Sequence, residues 1–312
     1  MELNYVIAGA GATGGSIGAF LAADGRNVTF LARGAQLEAF LERGISMKGT
    51  AKGDFTVAPV RAMTMEAYHE QPDVIFVCVK SYSLGDAVEL VKRTGSSETV
   101  VIPILNIYGT GERMQRELPA VTVTDGCIYV AAHISAPGEI THGGDIFRVV
   151  YGLRPGQKTS DAVLEKLSRI KRELDHAGIS GEYTDHVRRD TFRKFMYTSP
   201  MAAAGEYYHA QAGAFQTEGE PRETFIAMDR ELLALSKAMG LGVPENMVEI
   251  NLAILADLSP EAGTSMQRDI AKGGQSEISE LVYAVEDMAA AYGAEMPVYH
   301  RVIEELKARG LK

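Results

Sequence analysis

Hydrophobic patterning changes character once along this chain. Up to Thr184, short unbroken apolar runs alternate with segments of helical period. Tyr5–Ala8, Asn27–Leu31, Val74–Val79 and Val100–Ile104 read as strands. The β-branched run Val74-Ile75-Phe76-Val77-Cys78-Val79 has the unbroken apolar content of a strand covered on both faces. Shorter extended pieces are predicted at Gly44–Lys48, Phe55–Val60, Ile128–Ala132, Phe147–Tyr151 and Ile179–Tyr183. Helices are predicted at Ser16–Ala23, Ala35–Glu42, Leu84–Val91 and Asp161–Ala177. That alternation predicts an α/β fold with an N-terminal Rossmann-type, doubly wound parallel sheet. From Asp185 the period is helical throughout: Asp185–Ser199, Arg222–Met239, Pro244–Leu258, Thr264–Lys272, Ser276–Tyr292 and Pro297–Arg309. The chain therefore divides into an α/β domain, residues 1–184, and an all-helical C-terminal domain, residues 185–312. A ligand cleft is expected where the two meet.

The first strand runs directly into Gly9-Ala10-Gly11-Ala12-Thr13-Gly14. A GxGxxG segment between a buried strand and a helix start is where a dinucleotide lays its pyrophosphate. One glycine turns the chain, the second lets the backbone approach the phosphates, and the third lets helix pack on strand. The helix N-terminus then supplies N–H groups and positive dipole. An NAD site places an acid at the end of the second strand to bond the ribose. Here Phe30-Leu31-Ala32-Arg33-Gly34 carries Arg33 instead. A guanidinium suits a 2′-phosphate, so NADP(H) is the expected cofactor and residues 1–184 its binding domain. Gly14-Gly15-Ser16-Ile17-Gly18 also spells the GxSxG of a hydrolase elbow, but Ser16 falls inside the predicted helix, past the turn.

Composition narrows the partners. A formal charge of −10 disfavours nucleic acid and anionic membrane and leaves a small-molecule substrate, with a homodimer compatible. The two cysteines, Cys78 and Cys127, sit in apolar runs and read as buried thiols of a reducing compartment. The first apolar run is short and ends in glycines, so neither a signal peptide nor an anchor is expected; the expected location is the cytoplasm. The seven histidines make no metal-binding spacing.

Further segments stand in a telling order: Val77-Cys78-Val79-Lys80-Ser81, Asn106, Gly126, Pro137-Gly138-Glu139-Ile140-Thr141-His142, Arg193-Lys194-Phe195, Ser265-Met266-Gln267-Arg268-Asp269-Ile270 and Glu277. Together with the fingerprint this set resembles the ketopantoate reductase (2-dehydropantoate 2-reductase) family over nearly the whole chain. The resemblance implies NADPH-dependent reduction of a 2-keto acid, ketopantoate to pantoate, on the way to pantothenate and coenzyme A. It makes Lys194 the general acid, with Glu277 bonding Lys194 and cofactor hydroxyls. Asn106, Thr198 and Ser265 become substrate ligands. Lys80 joins Arg33 at the phosphate end, and Asn106 and Ala132 count with Gly9–Gly14 and Glu277 as cofactor-binding positions.

Plainer roles exist for several of these residues. Thr264 and Gln267 have the spacing of a capping box, which makes Ser265 first-turn filler, and Glu277 can open a helix. The chain also departs from the family pattern. Ile107-Tyr108-Gly109 follows Asn106 where the family has glycine directly after the asparagine. Thr198, Ala202 and Ala212 stand where the family has pocket asparagines. Tyr207-Tyr208-His209-Ala210-Gln211 offers substitute polar contacts or core tyrosines. Two alternatives therefore stay open: a related dehydrogenase acting on a 3-hydroxy acid or an imine, and an NADPH-binding sensor without turnover.

Overall fold

The computed structural model describes residues 2–312, which fall into two compact units. The first takes the chain up to Leu105 together with Gly109–Val187. The second is Asn106–Tyr108 with Arg188–Lys312.

The first unit begins β1 (Asn4–Ala8), α1 (Ala12–Ala23), β2 (Asn27–Leu31), α2 (Gly34–Arg43), β3 (Ile45–Lys48), β4 (Phe55–Val57), β5 (Arg61–Met63), β6 (Val74–Val77), α3 (Leu84–Thr94) and β7 (Val100–Pro103). It continues α4 (Thr110–Glu117), β8 (Thr122–Val123), β9 (Asp125–Ala136), β10 (Glu139–Gly152), α5 (Asp161–His176) and β11 (Ser180–Tyr183). Six strands form a parallel sheet in the order β5-β2-β1-β6-β7-β8. The order reverses between β1 and β6, and an open α/β sheet binds ligands at the carboxyl ends of strands beside such a switch.

A second, five-stranded sheet is centred on the long strand β10. One edge of β10 pairs antiparallel with β9; the other pairs first with β3 and then with β11. The periodicity shows only the buried ends of this hairpin, because its middle meets solvent on both faces: Ile146 is 70% exposed. Helix α1 packs on both sheets. That is why its sequence is small and apolar all round, with Gly14 to Leu21 buried, instead of amphipathic. Helix α4 escaped the sequence pattern because Met114 is its one large buried side chain.

The second unit is helical, with α6 (Val187–Tyr207), α7 (Ala212–Gln216), α8 (Glu220–Ala238), α9 (Met247–Ala256), α10 (Ser265–Ala271), α11 (Ala284–Tyr292) and α12 (Pro297–Ala308). Its core gathers Phe192, Phe195, Phe215, Phe225, Met228, Leu232 and Tyr299. Helix α6 does not stop at Ser199. It continues through Pro200, which removes one main-chain hydrogen bond at a cost of about 3 kcal/mol. Burial of Met201, Ala202, Ala203 and Ala204 in the next turn offsets that loss. No helix among the described residues is long and apolar enough to cross a membrane.

Candidate active site

The glycine segment forms the turn between β1 and α1, at the carboxyl edge of the parallel sheet next to β6. Gly9 has φ +94°, a left-handed conformation, and a Cβ there would lie 2.9 Å from the Cys78 carbonyl carbon and Val79 N. Gly14 is held by contact: a Cβ would stand 2.4 Å from Gly9 O and 2.8 Å from Ile7 Cγ2. Gly11, the N-cap of α1, faces open space, with nothing within 4 Å of a Cβ built on it. Ala10 is buried, and its N–H and that of Gly9 are bound to Leu31 O. The N–H groups of Ala12, Thr13 and Gly14 meet no acceptor among the described residues, and no acid lies in the first turn of α1. An open approach to three donors at a positive helix end fits the pyrophosphate of a dinucleotide.

Behind this turn Ser16 is fully buried. Its hydroxyl donates to Ala12 O at 2.7 Å and lies 2.9 Å from His142 Nε2 of β10. Ser16 is thus a packing residue inside α1, which disposes of the nucleophile elbow. Cys78 packs under Gly14, and burial pushes its thiol pKa up.

Arg33 is the exposed N-cap of α2, two residues beyond β2, with no ion pair or hydrogen bond among the described residues. Lys80 is half-buried and precedes the 3₁₀ turn Ser81–Ser83, just beyond β6. Ala132 lies on β9 opposite His142, and its side chain packs against the first unit's core.

Asn106 leaves β7 but belongs to the second unit, because Tyr108 anchors its loop there. The Tyr108 ring meets Phe192 edge-on at 4.9 Å and Phe195 at 6.3 Å, and its hydroxyl accepts from Arg188 Nε at 3.4 Å. Both phenylalanines flank Lys194 on α6. The Ile107-Tyr108 pair in place of the family's glycine therefore supplies an aromatic anchor.

Lys194 is half-buried on α6. One turn on, Thr198 donates its only hydroxyl proton back to Lys194 O at 3.1 Å, so toward a ligand it can only accept. Ala202 and Ala212 are fully buried and carry no polar group. The capping box is present: Thr264 Oγ1 accepts from Gln267 N, Gln267 Oε1 accepts from Thr264 N, and Ser265 opens α10 half-buried. Glu277 is only 6% exposed and does not open a regular α-helix. It precedes a π-helical turn, Ser279–Tyr283, that leads into α11. Such turns are rare and often lie at functional sites; sequence periodicity gave no sign of this one.

A family model described as ketopantoate reductase PanE/ApbA matches residues 5–156, and its C-terminal companion matches residues 186–310. The chain belongs to the ketopantoate reductase family. It is thereby an oxidoreductase acting on CH–OH with a nicotinamide cofactor. An uncharacterized oxidoreductase, YkpB, of Bacillus subtilis is 26% identical over 98% of both chains. The crystal structure of a 2-dehydropantoate 2-reductase from Geobacter metallireducens superposes with TM-score 0.87 at 22% identity, covering 98% of this chain and all of that one. A D-mandelate dehydrogenase bound to NADH and anilino(oxo)acetate gives TM-score 0.84 at 17% identity over 98% of both chains. These two structures share the reductase fold.

Proposed function

We propose that this protein reduces a 2-keto acid to the 2-hydroxy acid with NADPH, ketopantoate to pantoate being the first reading. The observation that carries it is the pairing, within one family member, of three unclaimed N–H donors at Ala12–Gly14 with a half-buried lysine on α6. Gly9–Gly14 hold the pyrophosphate, while Arg33 and Lys80 hold the 2′-phosphate end. Ala132, Asn106 and Glu277 complete the cofactor contacts. The bound nicotinamide supplies a hydride to the carbonyl carbon. Lys194 Nζ gives its proton to the carbonyl oxygen as charge develops there, then regains one from water. A positioned acid of this kind contributes about 10²–10⁴-fold. Asn106 and Ser265 hold the substrate, and Thr198 accepts a bond from its hydroxylated part.

A second reading concerns the side group. Ala202 and Ala212 lack the amides the family has there, and both methyls pack in the helical core, which favours a less hydroxylated 2-oxo acid. The D-mandelate dehydrogenase, with its aromatic oxo-acid ligand, supports this reading. Initial rates of NADPH oxidation with ketopantoate beside simpler aliphatic and aromatic 2-oxo acids separate the two. Lys194→Ala should lower turnover by about 10²-fold or more while NADPH still binds. Near-normal turnover in that variant would remove Lys194 as the acid, and failure to oxidise NADPH with any 2-oxo acid would remove the reading altogether.

A further inference from the structure

We propose that the cavity at the carboxyl end of α6 is a binding site for a small primary alkylammonium ion, with Glu206 as its counter-charge. The cavity measures about 390 Å³, within the range of small-ligand pockets, and its walls include Glu206, His209, Gln211, Gln267, Ile270 and Ala271. Glu206 stands twelve residues after Lys194, about 18 Å along the helix axis, so the site is separate from the one proposed for the keto acid.

The Glu206 side chain is 10% exposed, and its nearest ionic neighbour, His209 Nδ1, is 3.8 Å away, beyond hydrogen-bond length. Burial raises the Glu206 pKa even though His209 and Arg309 both pull it down. The resident cations therefore do not replace the water this carboxylate has lost. Arg309 is committed elsewhere. Its Nη1 donates to Glu206 O, Tyr207 O and His209 Nε2 at 3.3, 3.0 and 3.1 Å, and its Nε donates to Glu305. His209 Nε2 accepts from Arg309, which leaves its Nδ1 on the carboxylate side.

The backbone points the same way. His209 has φ +49°, a positive value otherwise confined to glycines among the described residues. It closes α6 where the Ala210 N to Gly205 O bond forms, a position that glycine fills at least cost. The His209 imidazole forms part of the cavity wall.

The lining selects the ligand. Gln267 is used at both ends, Oε1 by Thr264 and Nε2 on Ala210 O. What remains is an anion, the His209 ring 3.8 Å from it, the Gln211 side chain and the apolar wall of Ile270 and Ala271. An ammonium group satisfies the anion and a short alkyl chain covers the wall. A carboxylate or phosphate would be repelled, and a neutral alcohol would leave the charge uncompensated.

Calorimetric titration of the intact protein with n-butylammonium chloride, 1-butanol and sodium butyrate at matched ionic strength tests this. The expected result is saturable binding of the ammonium alone, weakened about tenfold or more by Glu206→Gln. Ala271→Leu, which fills the cavity and keeps the charge, should also abolish binding and serves if Glu206→Gln fails to fold. No saturable binding of n-butylammonium to the wild type, or unchanged affinity in either folded variant, overturns the proposal.

Discussion

The three glycines of the fingerprint answer to different forces, and substitution should separate them. A methyl on Gly14 has to displace the Gly9 carbonyl and Ile7, so Gly14→Ala should lose about 2 kcal/mol or more of stability. A methyl on Gly11 meets nothing in the protein, so Gly11→Ala should melt like the wild type yet bind the dinucleotide about tenfold or more weakly. Thermal melts beside NADPH titrations check both; a Gly11→Ala protein with full affinity would place the phosphates elsewhere. Arg33→Ala should raise the NADPH dissociation constant about tenfold to a hundredfold and leave NADH nearly unchanged. An equal loss for both cofactors would contradict the phosphate role. The glycine turn and the place of Arg33 just past β2 were legible because turn chemistry and strand ends are local. The Thr198 proton, turned onto its own helix, and the Tyr108 anchor were not, since each depends on contacts that spacing alone does not encode.

Between elements, helices α8 and α9 are joined by a buried polar pair. Asn251 Nδ2 donates to Asp229 Oδ2 at 2.8 Å, and both residues are fully buried. The two remaining oxygens, Asp229 Oδ1 and Asn251 Oδ1, have no partner. Both are acceptors, so a proton on Asp229 supplies the donor the pair lacks, and burial pushes its pKa up to about 7. Because the folded state holds this proton more tightly than the unfolded chain, the stabilisation is full in acid and falls as pH rises through about 7. Asp229→Asn, which carries a permanent N–H in the proton's place, should flatten urea-unfolding stability between about pH 4 and 7. A slope equal to the wild type's would assign the pH dependence to other groups.

At this scale most helices were readable from period, while their ends were not. Helix α6 overran Pro200 because buried small residues follow it, and the π turn before α11 left no periodic trace. The β9–β10 hairpin was half visible, since alternation fails wherever both faces meet water.

At the scale of the molecule, the described residues form two compact units, each with its own core. The two family models match residues 5–156 and 186–310. What a linear reading missed is that Asn106–Tyr108 is counted with the helices. A fragment beginning at Arg188 lacks Tyr108 and uncovers Phe192 and Phe195, so it should bind a hydrophobic dye more strongly than the intact protein. Fluorescence no higher than that of the full chain would show that the tyrosine is dispensable.

The same tripeptide governs how these enzymes can be recombined. A chimera spliced once at 187/188 would separate this chain's helices from its own Asn106–Tyr108, so a faithful graft has to be cut at 105/106 and 108/109 as well.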